Sequence, residues 1–282
     1  MAQRSKKGKT GVLPVIWTIT DDLWQLLEAV LLEDAPPCST GRPRASWRRV
    51  LDGILFRLRT GCQWNKLPVE FGDDSTVHRW FQRWSQNGVM ERIWAVMVAR
   101  CEELDAVFWK WQAADCALGK ARFGGKKIGR NPTDRGKPGT KRSLLVDEQG
   151  GPLAVVIDGA NVPDTKLLDA TLAASVVDRP DPADHEQHLC LDKGYDNPTG
   201  KAAVAKHQYV PHLRRIGEDA KARKHKKSKP RRWVVERTLG WLSKCRALLV
   251  RYDKNWFNHR RGLIQLACAL LWYRRAHRLG AG

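Results

Sequence analysis

Between Thr20 and Leu104 apolar side chains recur at steps of three and four residues, the period that gathers them on one face of a helix. Leu23, Leu26, Leu27, Val30 and Leu31 make one such stripe, and Val50, Leu51, Ile54, Leu55 and Leu58 make a second. The connection at 35–43 is rich in Pro, Ser and Gly and breaks both. Gly72-Asp73-Asp74-Ser75-Thr76 then offers side-chain oxygens for the free N–H groups of a helix start, ahead of Val77, Trp80, Phe81 and Trp84. Asn87-Gly88 ends that helix, and another runs from Met90 to Leu104. The pattern therefore predicts an all-α module over 1–104.

Beyond Leu104 the period changes. Short apolar runs at Val107–Ala114, Ser143–Val146, Leu153–Ile157, Leu189–Leu191 and Tyr209–Leu213 read as strands bounded by turns. Helical patterns fall at Asp164–Ala174, at Thr199–Lys206 and along Arg231–Arg251. Three early strands joined by turns, followed by alternating helices and strands, predict an α/β domain over 105–282: a mixed sheet flanked by helices. No internal repeat is visible.

Charge changes the picture. In 282 residues, Lys+Arg 50 against Asp+Glu 30 leaves a formal net charge of +20, and such a surface attracts polyanions through long-range fields and counterion release. Seven cysteines, an odd number without framework spacing, exclude a disulfide scaffold and predict a reducing compartment. The apolar stretch Val12–Ile16, interrupted by Pro14, is too short for a signal core or a membrane span. A soluble intracellular protein with no membrane partner is expected. His185, His188 and Cys190 have no second ligand pair at finger or ribbon spacing, so they predict a solvated pair and a strand cysteine rather than a zinc site.

Three acids stand out by position. Asp192 follows the apolar run Leu189–Leu191 and precedes Lys193-Gly194, which presents a carboxylate at the carboxyl edge of a sheet. At 100° per residue Glu236 shares a narrow stripe with Arg232, Gly240, Ser243 and Ala247, while Val234, Thr238, Trp241, Cys245, Leu248 and Leu249 lie opposite. Asp115 closes the first strand run and is preferred to Asp134 and Asp147 as the third acid. Acids on an early strand, after a late strand and on a following helix can converge on two divalent ions about 3.5–4 Å apart. Hard carboxylate oxygens suit magnesium or manganese. Such a pair activates an attacking hydroxyl and steadies a leaving oxygen in phosphoryl transfer.

Several blocks, in order, resemble the DDE transposases of bacterial insertion sequences of the insertion sequence four and five groups. They are Thr60-Gly61-Cys62-Gln63-Trp64-Asn65-Lys66-Leu67-Pro68 and Ser75-Thr76-Val77-His78-Arg79-Trp80-Phe81 in the helical module. In the α/β part they are Gly139-Thr140-Lys141-Arg142, Asp164-Thr165-Lys166, Asp192-Lys193-Gly194-Tyr195-Asp196 and Arg232-Trp233-Val234-Val235-Glu236-Arg237. The resemblance covers nearly the whole chain and implies an RNase H-like catalytic domain. It implies Asp115, Asp192 and Glu236 as ligands of Mg2+ or Mn2+, two ions per site, with Arg232 and a basic residue after the Glu on DNA ends. The sequence departs from the pattern at Lys229, where the family has Tyr, at Ser243, where it has Lys (Lys244 comes one step late), and at Cys116, where a small hydroxyl residue is common.

Two basic segments, 119–142 and 214–232, predict phosphate-tracking loops. The expected DNA contacts are Lys126, Lys127, Arg142, Lys193, Lys226, Lys227, Arg232, Arg237 and Lys244, with His78 and Arg79 in the N-terminal module. The segment Ser75–Arg92 fits either a helix-turn-helix in the major groove or a plain helical hairpin. Of 13 Trp, those at helical spacing such as Trp80 and Trp84 predict core packing. The expected protein binds double-stranded DNA as a homo-oligomer and cuts and joins it. A nuclease without joining activity and an inactive DNA-binding regulator are the alternatives.

Overall fold

The computed structural model describes residues 18–36, 44–214 and 231–280. The four helical stripes of the N-terminal part form α1 (Asp21–Asp34), α2 (Trp47–Thr60), α3 (Asp74–Gln86) and α4 (Val89–Glu102). Their ends follow the capping chemistry of the sequence. The Asp73 carboxylate accepts from the Thr76 N–H at 2.8 Å at the start of α3, and Gly61, at φ 69°, terminates α2 in the left-handed conformation. α3 and α4 join through Asn87 and Gly88, and the aromatic residues of α3 pack inward, with Phe81 and Trp84 buried.

The sheet comprises β1 (Trp111–Ala121), β2 (Gly129–Arg130), β3 (Pro138–Asp147), β4 (Pro152–Gly159), β5 (His188–Asp192), β6 (Val210–Arg214) and β7 (Val250–Arg251). β3 lies antiparallel between β1 and β4, with β2 also pairing to β3. On its other edge β1 pairs in parallel with β5 and, further along, with β7, and β5 pairs in parallel with β6. Helices α5 (Asp164–Ala173) and α6 (Pro198–Lys206) provide the crossovers, and α7 (Trp233–Ser243) packs against β1 and β3. An antiparallel meander extended by parallel strands and covered by helices is the expected RNase H-like mixed sheet, behind a helical N-terminal region. Among the described residues no helix is long and apolar enough to cross a membrane.

Three sequence expectations are corrected. β1 runs on to Ala121, so Asp115 sits mid-strand instead of closing it. The segment 119–142 is not one loop: Gly119–Ala121 belongs to β1, and Pro138 onward to β3. The helix expected over Arg231–Arg251 stops at Ser243, and the chain turns through Arg246–Leu248 into β7. The turn packs against the end of α2, where a side chain on Gly61 would meet the Arg246 backbone at 3.2 Å. Ala247, assigned to the Glu236 stripe, is buried there.

The periodicity reading also lacks an element. Asn258–Ile264 forms a π-helical segment that continues into α8 (Gln265–Arg278). α8 packs against α4, and Leu23, Leu27, Leu51, Leu55, Ile93, Met97, Leu266, Ala269 and Leu270 meet in one apolar region. Trp94 of α4 and Trp272 of α8 both donate their indole N–H to the Pro152 carbonyl, at 3.1 and 2.6 Å. The hydrophobic core is thus continuous across Leu104.

Candidate active site

Asp115 and Asp192 come together through strand register. In the parallel β1–β5 ladder Gln112 pairs with Leu189 and Ala113 with Cys190. The ladder ends there; continued two residues along each strand, the same register brings Asp115 level with Asp192 on one face, and the Asp192 charge acts on Asp115. Asp192 ends β5 and leads into a tight turn, Lys193–Tyr195. Glu236 lies in the first turns of α7, which crosses β1.

Arg232 links the third acid to the first. Its Nη1 lies 3.2 Å from Asp115 Oδ2, and its Nη2 lies 2.8 Å from Glu236 Oε1. One guanidinium therefore stands between the two carboxylates, its planar fork offering a separate N–H edge to each. Asp115 also accepts the Cys116 N–H at 2.8 Å. Burial pushes the Asp115 carboxyl up to about 6, and the negative charges of Glu236 and Asp192 push the same way against the hydrogen bond and Arg232. Beneath Asp115, the buried Tyr195 hydroxyl and Cys116 Sγ are 3.5 Å apart, and burial raises both groups above their ordinary pKa values.

The donor set fits a divalent cation in kind: hard carboxylate oxygens on β1, at the end of β5 and on α7, with Arg232 supplying positive charge between those of Asp115 and Glu236. Among the described residues no three of His, Cys, Asp and Glu are already gathered around a common metal position. The competing acids have other roles. Asp147 is fully buried, paired with Arg275, and accepts from the N–H groups of Phe108, Gln149 and Gly151. Asp134 lies 3.7 Å from Lys120.

The basic candidates are dispersed. Lys193 is exposed beside Asp192, and Lys126 and Lys127 are exposed between β1 and β2, Lys127 pairing with Asp158 at 2.7 Å. Arg142 is corrected: it is only 4 % exposed, its guanidinium faces the Leu248 carbonyl, and it cannot reach a phosphate. Arg237 turns away from Glu236 and is held between the Trp233 and Trp241 rings at 4.4 and 4.6 Å. Lys244 is exposed beyond the end of α7. In the N-terminal helices His78 stacks on Trp64 at 4.6 Å, and burial holds its pKa below the usual value; Arg79 is exposed on α3. Lys226, Lys227 and the rest of 215–230 lie outside the described residues.

Two features escaped the sequence reading. Arg231 lies over the Trp111 ring at 4.0 Å and pairs with Glu148, fixing the start of α7 against β1. His188 stacks on the same ring at 4.2 Å and lies 3.1 Å from His212, so this histidine, expected to be solvated, is part of an aromatic packing cluster. The only sequence signal for the Arg231 contact was its place beside Arg232, which does not predict a cation–π pair with a distant strand.

The family described as "Transposase DDE domain" matches residues 103–272. The family "Putative transposase of IS4/5 family" matches residues 19–94. The chain is 33 % identical, over 162 residues, to the "Putative transposase for insertion sequence element IS402" of Burkholderia cepacia, covering 56 % of this chain and 74 % of that protein. It is 35 % identical over 118 residues to the "Insertion element IS402 uncharacterized 16.2 kDa protein" of the same organism, covering 40 % of this chain and 80 % of that protein.

Proposed function

The chain belongs to the DDE transposases of insertion sequences, and from that premise we propose that it binds the terminal repeats of its own element and uses Asp115, Asp192 and Glu236 in metal-dependent strand cleavage and strand transfer. The observation that carries this reading is the approach of the three acids: the charges of Asp192 and Glu236 both act on Asp115, β1 and β5 pair in parallel up to two residues before each Asp, and Arg232 ties Glu236 to Asp115. Two magnesium or manganese ions, when bound by these carboxylates, supply charge neutralisation and activation of a water or a DNA 3′-hydroxyl.

The side chains prepare that chemistry. The raised affinity of Asp115 for a proton marks a carboxylate short of positive charge, the condition under which a cation gains most from binding. Arg232 meets part of that demand in the free protein. Its planar fork is equally suited to a phosphate oxygen pair, so DNA competes with Asp115 and Glu236 for it. Exposed Lys193 stands at the same edge to meet the backbone of the strand being cut. The protein works in this reading as a homo-oligomer that brings two element ends together, in the nucleoid.

Labelled element ends incubated with magnesium and a target duplex test the reading. Joined products are expected. Cleavage without joining, or bound but intact DNA, overturns it in favour of a nuclease or a regulator respectively. Asp192→Ala and Glu236→Ala should each lower product formation by about a thousandfold or more while end binding in a gel-shift assay persists. Parallel loss of binding in well-folded variants removes the ligand roles.

A further inference from the structure

α7 carries a second stripe beside the acidic one. Trp233, Arg237 and Trp241 follow at steps of four residues, about a quarter turn from Arg232 and Glu236, and Lys244 continues the line just past the helix end. This stripe faces α8 across a cavity of about 470 Å³, which Arg275 and Arg278 line from the other side. A second cavity of about 310 Å³ shares Trp241, Leu271 and Arg278 with the first and continues to Lys244, Arg274 and Arg59 of α2. The two form one groove.

Its charge is unbalanced. Arg275 is committed to buried Asp147, and the acid in the first cavity, Glu148, to Arg231. No acid lines the second cavity. Among the described residues no carboxylate lies within ion-pair distance of Arg59, Lys244, Arg274 or Arg278. The Nε atoms of Arg59, Arg237 and Arg274 are buried without a hydrogen-bond partner. Burial and the neighbouring charges of Arg59 and Arg278 hold the Arg274 pKa below its usual value. Crowding unpaired cations costs stability, and a polyanion in the groove removes that cost.

We infer that the α7–α8 groove binds the phosphodiester backbone of duplex DNA running past the scissile position toward α2, with Arg59, Lys244, Arg274 and Arg278 as the phosphate contacts. The inference rests on the transposase reading and adds a surface away from the carboxylates. The segments outside the described residues carry no matching counter-charge: 1–17 has Arg4, Lys6, Lys7 and Lys9 and no acid, 37–43 has Arg42 and no acid, and 215–230 is dominated by Lys and Arg. Cations line both adjoining cavities, Arg237 and Arg278 in the first and Arg59, Lys244 and Arg274 in the second, which fits an extended polyanion better than a single ion.

The test is a salt titration of duplex binding by fluorescence anisotropy, in chelator so that no strand is cut. Arg274→Gln/Arg278→Gln should bind more weakly, with a plot of log affinity against log salt shallower by about 2 units, since each lost phosphate contact removes about 0.9. Its melting temperature should equal or exceed that of the wild type, because like charges have been separated. Lys244→Gln, at an exposed position that packing does not require, should lower the slope by about 1 unit. A wild-type slope in both variants overturns the groove while leaving the transposase reading intact. Failure of the wild type to hold any duplex overturns the transposase reading first. Protection of the wild type by inorganic phosphate alone, with duplex slopes unchanged in the variants, assigns the groove to a small anion and also overturns it.

Discussion

Asp115 shows what a site costs a fold. Its neighbours in β1 are the buried Ala113 and Ala114, and its own carboxylate is taken from water with only one N–H and a shared guanidinium in exchange. The folded pKa of about 6 lies above the ordinary 3.8, so between these values the folded state holds a proton that the unfolded chain has released. Stability from this group is therefore complete below pH ~4 and lost as pH rises through ~6. Asp115→Asn removes that dependence. In metal-free buffer the variant should be more stable than wild type at pH 7.5, by about 1–3 kcal/mol. The difference should shrink toward zero near pH 4, as read by urea unfolding across pH. A variant less stable than wild type at every pH would show that the ion pair with Arg232 outweighs the desolvation.

At the scale of elements, the helices owe their placement to close fits that periodicity does not encode. The π-helical segment before α8 brings Gly262 against α3, where an added Cβ would lie 2.4 Å from the Phe81 ring and 2.5 Å from Ser85 Oγ. Both partners are fully buried and neither can withdraw. Gly262→Ala should cost about 1–3 kcal/mol, measured as a fall in the urea midpoint at unchanged slope. An unchanged midpoint would mean that α3 and the π segment are free to part. The same reasoning explains why α7 stops at Ser243. Its apolar pattern continues through Leu248 and Leu249, but Ala247 and Leu248 are needed in the core beside α2, and the chain can reach them only by leaving the helix.

At the scale of the whole molecule, the N-terminal helices and the sheet are held together by the last helix. Leu23, Leu27, Ile93 and Met97 bury their side chains with Leu266, Ala269 and Leu270 of α8, and the Tyr273 hydroxyl reaches Thr20 and Asp22 at 2.8 Å each. A fragment of residues 1–104 should therefore show weak, non-cooperative thermal unfolding by circular dichroism and bind a hydrophobic dye, because this face has lost its cover. A cooperative transition in that fragment would show an independent domain. The sequence by itself determined the elements whose spacing repeats locally: the four N-terminal helices, the strands near Ser143–Val146, Leu153–Ile157, Leu189–Leu191 and Tyr209–Leu213, and the places of Asp192 at a strand end and Glu236 on a helix, each marked by neighbours a few residues away. Tertiary structure alone decided what depends on residues far apart in the chain. It set the mid-strand place of Asp115 through pairing of β1 with β3 and, further along, with β7, and it buried Arg142, whose sequence neighbourhood is that of a basic loop. It also put Arg232 between two carboxylates, and Arg59 beside Arg274. A local pattern records which face of an element is apolar, but charge and burial at a point are sums over everything that packs around it.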